Sequence, residues 1–433
     1  MASLTLSPSP CFSNSHNYHS LQFPPLKASA KPRNLKLFCC LALDRTDENR
    51  SPPSQTNDDL RIMFAAGGTG GHIYPAVAIA DEVKSINPRI RVLFVGTQNG
   101  MESTVIPSAR YDFVTIPAVP LARPFFSPVN VLLPYRLIKA MLESRKVLRD
   151  FDPQIVVGTG GYVSFPVCLT AALQGLKVVI QEQNSMPGIA NRVLSRFADL
   201  IFVVFNSSLV YFPKDKCVVC GNPVRSSLRR YVSKAVARTH FFPKAAKTWD
   251  PEAKVILVLG GSFGANAINI AILNLYYQML AENDNIFIIW QTGVETFNEM
   301  DSLVKNHPRL LLRPFLHKMD WAYAAADLVV SRAGAMTCSE IVATGKPSIL
   351  IPSPNVAEGH QTKNAFIMAD LAGSKVITED ELDSTTLRIA IEEILGNASQ
   401  MVEMSEKAMK IARPEAAVEI AQRILSLVKL SRA

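Results

Sequence analysis

Apolar residues in this chain fall into short runs rich in β-branched side chains, and the runs recur in two groups. Ile62–Ala66, Arg91–Val95, Ile155–Val157, Val178–Gln181 and Leu200–Val204 form the first group. Val255–Leu259, Ile286–Trp290, Leu328–Ser331 and Ser348–Ile351 form the second. Helical patterns lie between them. Strands separated in this way by helices predict parallel sheets with helices on both faces. Ligands of such sheets bind at the carboxyl ends of the strands.

Three of the runs lead straight into glycine turns. Gly67-Gly68-Thr69-Gly70-Gly71-His72 follows the first run, Gly158-Thr159-Gly160-Gly161-Tyr162 follows Ile155–Val157, and Gly260-Gly261-Ser262-Phe263-Gly264 follows Val255–Leu259. A strand, a glycine turn and a helix start bring backbone N–H groups against phosphates or hydroxyls. The recurrence of this device near the start of both groups predicts an α/β protein of two Rossmann-like domains facing across a cleft. The expected domains are residues 61–225, completed by a C-terminal helix over 411–433, and residues 226–410. Tyr231–Thr248 is rich in basic residues and reads as a connector or surface insertion.

The first sixty residues follow no such pattern. Residues 1–43 hold seven Ser, four basic residues and no Asp or Glu. Residues 44–60 are polar, with two prolines. Such a composition fits an organelle transit peptide followed by a linker, with the chloroplast favoured over the mitochondrion because Arg is scarce. The formal charge is +8, of which residues 1–43 supply +4. The remaining excess is mild, basic residues are not interleaved with aromatics, and no nucleic-acid partner is expected.

Cys217-Val218-Val219-Cys220 has the spacing of a redox or metal motif. It sits at a strand end, where positions i and i+3 face opposite sides, so it reads as two small buried residues. No metal-ligand cluster is visible, and no Asp-x-Asp motif stands in the turns. Neither a metal nor another cofactor is expected. No run approaches the roughly 18 apolar residues of a membrane span. Between Pro120 and Asp150, however, Leu121, Phe125, Phe126, Val131, Leu132, Leu133 and Leu137 accompany Arg123, Arg136, Lys139, Arg145, Lys146 and Arg149. On one face that mixture docks a protein onto anionic lipid; divided, it is ordinary core plus a solvated helix face.

Seven blocks of this sequence resemble the MurG family, in order and over roughly residues 61–430. They are the turn Gly67–His72 with Ile73-Tyr74-Pro75-Ala76, Gly160–Ser164, Glu182-Gln183-Asn184, Gly221–Arg225, Gly260–Ala265, Ser331–Glu340 and His360–Ala365. MurG proteins move N-acetylglucosamine from UDP-N-acetylglucosamine onto lipid I at a membrane surface, giving lipid II for peptidoglycan. The resemblance implies an inverting, metal-independent transferase of GT-B type. With the transit-like N-terminus it implies a plastid member, peripheral to a membrane, whose partners are UDP-N-acetylglucosamine and a lipid-linked acceptor.

The blocks also carry site expectations. The resemblance places the turn holding Thr69, Gly70 and Gly71 between donor and acceptor, against the acceptor diphosphate or the reacting sugars. A helix N-terminus disfavours imidazolium, so His72 should be largely neutral near pH 7. It would take the proton of the acceptor hydroxyl, or only hydrogen-bond substrate or loop. Glu182 and Asn184 can hold sugar hydroxyls, or cap the helix beginning near Gly188. The resemblance puts Asn184 at the donor and Glu182 on the acceptor side, where it is the second candidate base. Arg225 matches phosphate geometry and Ser262 adds a hydroxyl; the alternative for Arg225 is a plain surface charge. Gly334 and Ala335 are small enough to admit a phosphate or a uracil edge, and Thr337 and Ser339 offer hydroxyls. Met336 and Cys338 belong to the same block. Glu340 would hold the ribose, or complement the helix dipole. Leu316 resembles the position whose backbone meets uracil, and Gln361 can contact the donor sugar.

Two other readings keep the fold. One is a plastid galactosyltransferase that glycosylates diacylglycerol, the other a non-catalytic UDP-sugar-binding protein. The His72 turn and the Glu182-Gln183-Asn184 block favour the MurG type, and the nearly complete polar set argues against decay to a binding protein.

Overall fold

The structure is a computed structural model and describes residues 60–122, 126–245, 249–356 and 359–430. The transit-peptide expectation, over residues 1–43, lies outside the described residues.

The first sheet holds β1 (Arg61–Ala65), β2 (Arg91–Gly96), β3 (Asp112–Thr115), β4 (Ile155–Gly158), β5 (Lys177–Glu182), β6 (Leu200–Val203) and β7 (Cys217–Val219), in the order β3-β2-β1-β4-β5-β6-β7. The second holds β8 (Lys254–Leu259), β9 (Ile286–Gln291), β10 (Leu310–Arg313), β11 (Leu328–Ser331), β12 (Ser348–Leu350) and β13 (Lys375–Val376), in the order β10-β9-β8-β11-β12-β13. Every strand pair is parallel. Both faces of each sheet are covered. On β1, Ile62 and Phe64 enter one apolar cluster, Met63 and Ala65 another. On β8, Val255 and Leu257 part in the same way from Ile256 and Val258. Burial on both sides is why these runs are continuously apolar.

In both sheets the first strand is central. The chain builds outward in one direction, then crosses back to the other side of β1 or β8. Neighbouring connections then leave in opposite directions and open a crevice at the carboxyl ends of β1 and β4, and of β8 and β11. Those four ends carry the turns at Gly67, Gly158, Gly260 and Gly334.

Three strands were not foreseen from the pattern: β3, β10 and β13. Each is the outermost strand of its sheet on one side. Tyr231–Thr248 also departs from expectation. It contains the helix Lys234–Phe241, whose Ala237 enters the second-sheet core together with Phe242. One of its cations is not a surface charge. The buried Arg238 pairs with buried Asp327, which Lys234 reaches at 2.5 Å. The last helix, Ala416–Leu430, returns to the first sheet and packs Ile420, Ala421 and Ile424 with Ile62 and Ile79. Cys217 packs on one face of that sheet and Cys220 on the other, and burial pushes the Cys220 thiol up to about 12.

Candidate active site

From β1 the chain turns through Gly67 and Gly68 into the helix Gly70–Ile86. Gly68 has φ +92, which L side chains rarely adopt. His72 stands in the first turn of that helix, half-buried. Its Nδ1 lies 3.2 Å from Thr69 Oγ1, and its carbonyl accepts from the Thr159 hydroxyl at 2.8 Å. The second glycine turn forms its seat. A Cβ on Gly160 would stand 2.8 Å from His72 Cδ2, and one on Gly161 2.2 Å from the Gly67 carbonyl oxygen. The protein packed around the imidazole pushes its pKa down to about 4. The Gly67 backbone and the Glu102 charge oppose that shift, and His360 adds to it. His72 is therefore neutral at pH 7 and able to accept a proton.

The seat has a testable consequence. Gly161 has φ +79, so Gly161→Ala meets backbone strain as well as the Gly67 oxygen. A stability loss of about 1–3 kcal/mol is expected, together with reduced turnover because His72 is displaced. Thermal unfolding indistinguishable from the parent protein would contradict this packing.

Glu182 ends β5 and is buried. Its Oε1 accepts from the Asn184 N–H at 3.0 Å and from Asn184 Nδ2 at 3.2 Å. Its Oε2 accepts from the Gly188 N–H at 3.3 Å and from Asn191 Nδ2 at 2.9 Å. Burial pushes its carboxyl pKa up and these bonds pull it back. Both oxygens thus hold the loop that leads into the helix Ile189–Leu194. Asn184 is presented by that loop, half-buried.

On the other wall, β8 leads through Gly260–Gly264 into the helix Asn266–Glu282. Gly261 has φ +78, and nothing lies within 4 Å of where its Cβ would stand. Ser262 faces the first turn, since a Cβ on Gly70 would sit 3.5 Å from Ser262 Oγ. The first and third glycine turns therefore oppose each other.

β11 leads to Gly334, which precedes the helix Ala335–Thr344. Helix geometry divides the block expected here to bind as one. Gly334, Ala335, Met336 and Thr337 line the cleft with the third turn. Cys338 instead turns into the second-sheet core, its thiol pushed up to about 12 by burial. Ser339 accepts from Asn222 Nδ2 at 2.9 Å and donates to the Ala335 carbonyl at 2.9 Å. Successive helical residues point about 100° apart, so one block cannot present every side chain to one cleft.

Glu340 is buried one turn further on. It accepts from the Tyr323 hydroxyl at 3.2 Å and lies 3.4 Å from Arg225 Nε. Burial pushes its carboxyl pKa up, and Arg225 and Tyr323 oppose that. The Arg225 guanidinium stacks on Tyr74, 3.7 Å from the ring centroid, and its buried Nε has no hydrogen-bond acceptor. Arg225 is thus no plain surface charge; its buried Nε faces the Glu340 carboxylate. The Leu316 N–H donates to Gln291 Oε1 at 2.8 Å and is already engaged. Gln361 accepts from the Ser353 N–H at 2.9 Å and lines the cleft.

Three cavities meet here. One of about 550 Å³ lies between the first and third turns and takes in Thr69, Gly70, Gly71, Gly334–Thr337 and Gln361. A second, of about 950 Å³, opens past Ser262 toward Tyr74, Arg225 and Phe315. The third, of about 440 Å³, is walled mainly by apolar residues such as Leu121, Leu133, Leu137 and Phe165. His72, Asn184 and His360 line both the first and the third.

Sequence reasoning missed Tyr74, Tyr323, Glu102 and two buried amides. Asn222 Nδ2 reaches the Gln183 carbonyl at 3.2 Å as well as Ser339. Asn364 accepts from the Ser185 hydroxyl at 2.9 Å and donates to the Ala333 carbonyl at 3.2 Å. Asn222 and Asn364 lie in blocks already singled out for other residues. Tyr74, also in such a block, gives no separate signal, because an aromatic among apolar helix positions reads as core.

Comparison with known proteins agrees with this geometry. The glycosyltransferase family 28 N-terminal domain matches residues 62–203, and the family 28 C-terminal domain matches residues 255–424. A Salinibacter ruber protein named UDP-N-acetylglucosamine--N-acetylmuramyl-(pentapeptide) pyrophosphoryl-undecaprenol N-acetylglucosamine transferase is 41% identical over 84% of this chain and 96% of its own. A Flavobacterium psychrophilum protein of the same name is 38% identical over 86% and 99%. The crystal structure of Acinetobacter baumannii MurG matches with a TM-score of 0.64 at 27% identity, over 85% of this chain and 99% of that one. Two parallel-sheet domains, opposed glycine turns and these relatives lead to one conclusion: the chain belongs to the MurG family of GT-B glycosyltransferases.

Proposed function

We propose that this enzyme transfers N-acetylglucosamine, with inversion, from UDP-N-acetylglucosamine to a lipid-linked muramyl peptide, converting lipid I to lipid II at a plastid membrane. The observation that carries the reading is the position of His72, on the wall shared by a polar cavity and an apolar one. The nucleoside occupies the larger cavity beside Arg225 and Phe315, with its ribose on Glu340. The diphosphate lies against the Gly260–Gly264 turn, where two helix N-termini supply N–H groups and partial positive charge. The sugar reaches toward Gln361 and Asn184. The acceptor enters through the apolar cavity. As its hydroxyl oxygen attacks the anomeric carbon, His72 takes the proton, and the bond to UDP breaks with its electron pair going to the phosphate. Arg225 and the helix N-termini meet that charge. On this reading residues 226–410 hold the donor, and residues 61–225 with the last helix hold the acceptor.

The membrane part of the proposal rests on the helix Leu133–Phe151 and the turn before it. Phe126, Val131 and Tyr135 are 92%, 76% and 68% exposed, beside Arg136, Lys139, Arg145 and Lys146. Leu133 and Leu137 face inward and wall the acceptor cavity, so a lipid tail leaving that cavity would meet the exposed patch. Arg123 and Phe125 of the expected patch lie outside the described residues. Among the described residues no helix is long and apolar enough to cross a membrane. Peripheral docking of apolar side chains flanked by cations fits these features.

Complementation tests the reading. Residues 61–433 are expected to restore growth to a bacterium depleted of its own lipid II-forming transferase. Failure of both this form and the full chain would count against the lipid I acceptor. Rescue by the full chain alone would contradict the reading of residues 1–60 as a removable leader and linker.

A further inference from the structure

Glu102 has no part in the transfer as derived above, yet the first glycine turn is built around it. It is wholly buried and opens the short helix Glu102–Ser108. Its Oε2 accepts from the Gly68 N–H at 3.2 Å. Its Oε1 accepts from the Thr97 N–H at 2.9 Å and the Thr97 hydroxyl at 2.6 Å. No cation stands among these partners. Three glycines make the room: a Cβ on Gly67, Gly96 or Gly100 would come within 2.8, 2.4 or 2.3 Å of Glu102 atoms. A buried carboxylate is an expensive way to fasten a loop, because a neutral amide or hydroxyl could accept the same bonds with far less loss of hydration.

The charge acts in two places. It takes the Gly68 N–H out of the set that a ligand of this turn could use. It also acts on His72, favouring the protonated ring against the burial that disfavours it. The third turn differs: nothing lies within 4 Å of where a Cβ on Gly261 would stand, whereas a Cβ on Gly67 would meet Glu102 Oε1 at 2.8 Å. A phosphate seated on the first turn would meet a negative charge and one fewer donor. A hydroxyl giving its proton to His72 would meet no such obstacle.

We propose that Glu102 is a positioning residue that dedicates the first glycine turn to proton transfer: it fixes the turn beneath His72, keeps phosphate off it, and stabilises the imidazolium that forms as the acceptor proton arrives. The proposal rests on His72 being the base. It leaves anion binding to the third turn.

The test is a double-variant cycle on the full chain, with donor affinity measured by calorimetry and kcat on lipid I. Glu102→Gln is expected to bind UDP-N-acetylglucosamine within about twofold of the parent and to lose about 30-fold or more in kcat. In a His72→Ala background the same change should lower kcat less than about threefold, because the two residues serve one step. A parent-like rate in Glu102→Gln, or losses that multiply in the double variant, would overturn the proposal alone. An undiminished rate in His72→Ala would remove the base reading and this proposal with it. Should Glu102→Gln not fold, Glu102→Asp enters the same cycle, and multiplying losses would again overturn it.

Discussion

His72→Ala is expected to lower kcat by about 10²–10⁴ while leaving donor affinity within about twofold. In the proposed arrangement the donor is held by Arg225, Ser262, Glu340 and Gln361, whereas His72 serves the acceptor from the wall that the polar cavity shares with the apolar one. A base acts only as the hydroxyl attacks, so its removal is felt in the transition state rather than in ground-state binding. The pH profile offers a second reading of the same residue. Free imidazole titrates near 6.5, and His72 is pushed down to about 4 by burial. A base must be unprotonated, so activity is lost as pH falls through the folded value. The acid limb of kcat/KM should therefore lie well below the ordinary histidine range and be absent from the variant. The same shift makes folding less favourable in acid, since the unfolded chain takes up the proton first as pH falls from about 6.5. If His72→Ala loses donor binding instead of turnover, His72 positions ligand and Glu182 becomes the base to test. At least one of the four hydrogen bonds to Glu182 would then have to give way in the complex.

The second large effect is at Glu340. Glu340→Ala is expected to weaken UDP-N-acetylglucosamine by about 10- to 150-fold, the loss of a charged acceptor of about 1.5–3 kcal/mol. Without ligand, Glu340 already accepts from Tyr323 and faces Arg225. Truncation therefore also leaves a buried hydroxyl and a half-buried guanidinium without their carboxylate, and the variant should unfold at lower temperature. Glu340→Gln keeps the shape and the bond from Tyr323 while removing the charge. Its affinity loss, measured by calorimetry in the folded protein, reports what the carboxylate's charge contributes to donor binding, at the ribose and through Arg225. Unchanged affinity in that variant would take Glu340 out of the donor site.

The parts of this fold visible in the sequence are those buried on both sides. β1, β4, β5, β8 and β11 carry continuous apolar runs because helices cover both faces of each sheet. β3 and β13 do not, because an outer strand packs less and tolerates polar positions such as Asp112 and Lys375, while the three leucines of β10 are only half-buried at the sheet edge. The turns were legible for a similar reason: positive φ at Gly68, Gly160 and Gly261 constrains residue type locally. What stayed hidden depends on pairing at long range. Nothing in the basic stretch before position 249 indicates that Asp327 waits for Arg238 and Lys234. Nothing near Met101 indicates that Glu102 will reach under a turn 34 residues earlier. That the side chain of Cys338 enters the core while Ser339 meets Asn222 is likewise hidden, because a motif is a string and a helix turns each residue to a different neighbour.

The most direct test of the account is transfer itself. Purified protein is incubated with UDP-N-acetylglucosamine labelled in the sugar and with lipid I in anionic vesicles, and the lipid fraction is analysed for its sugar and anomeric configuration. The account predicts labelled lipid II with inverted configuration at the new bond, formed without added divalent cation and abolished in His72→Ala. Donor binding without transfer, or preferential transfer of galactose from UDP-galactose to diacylglycerol, would contradict it.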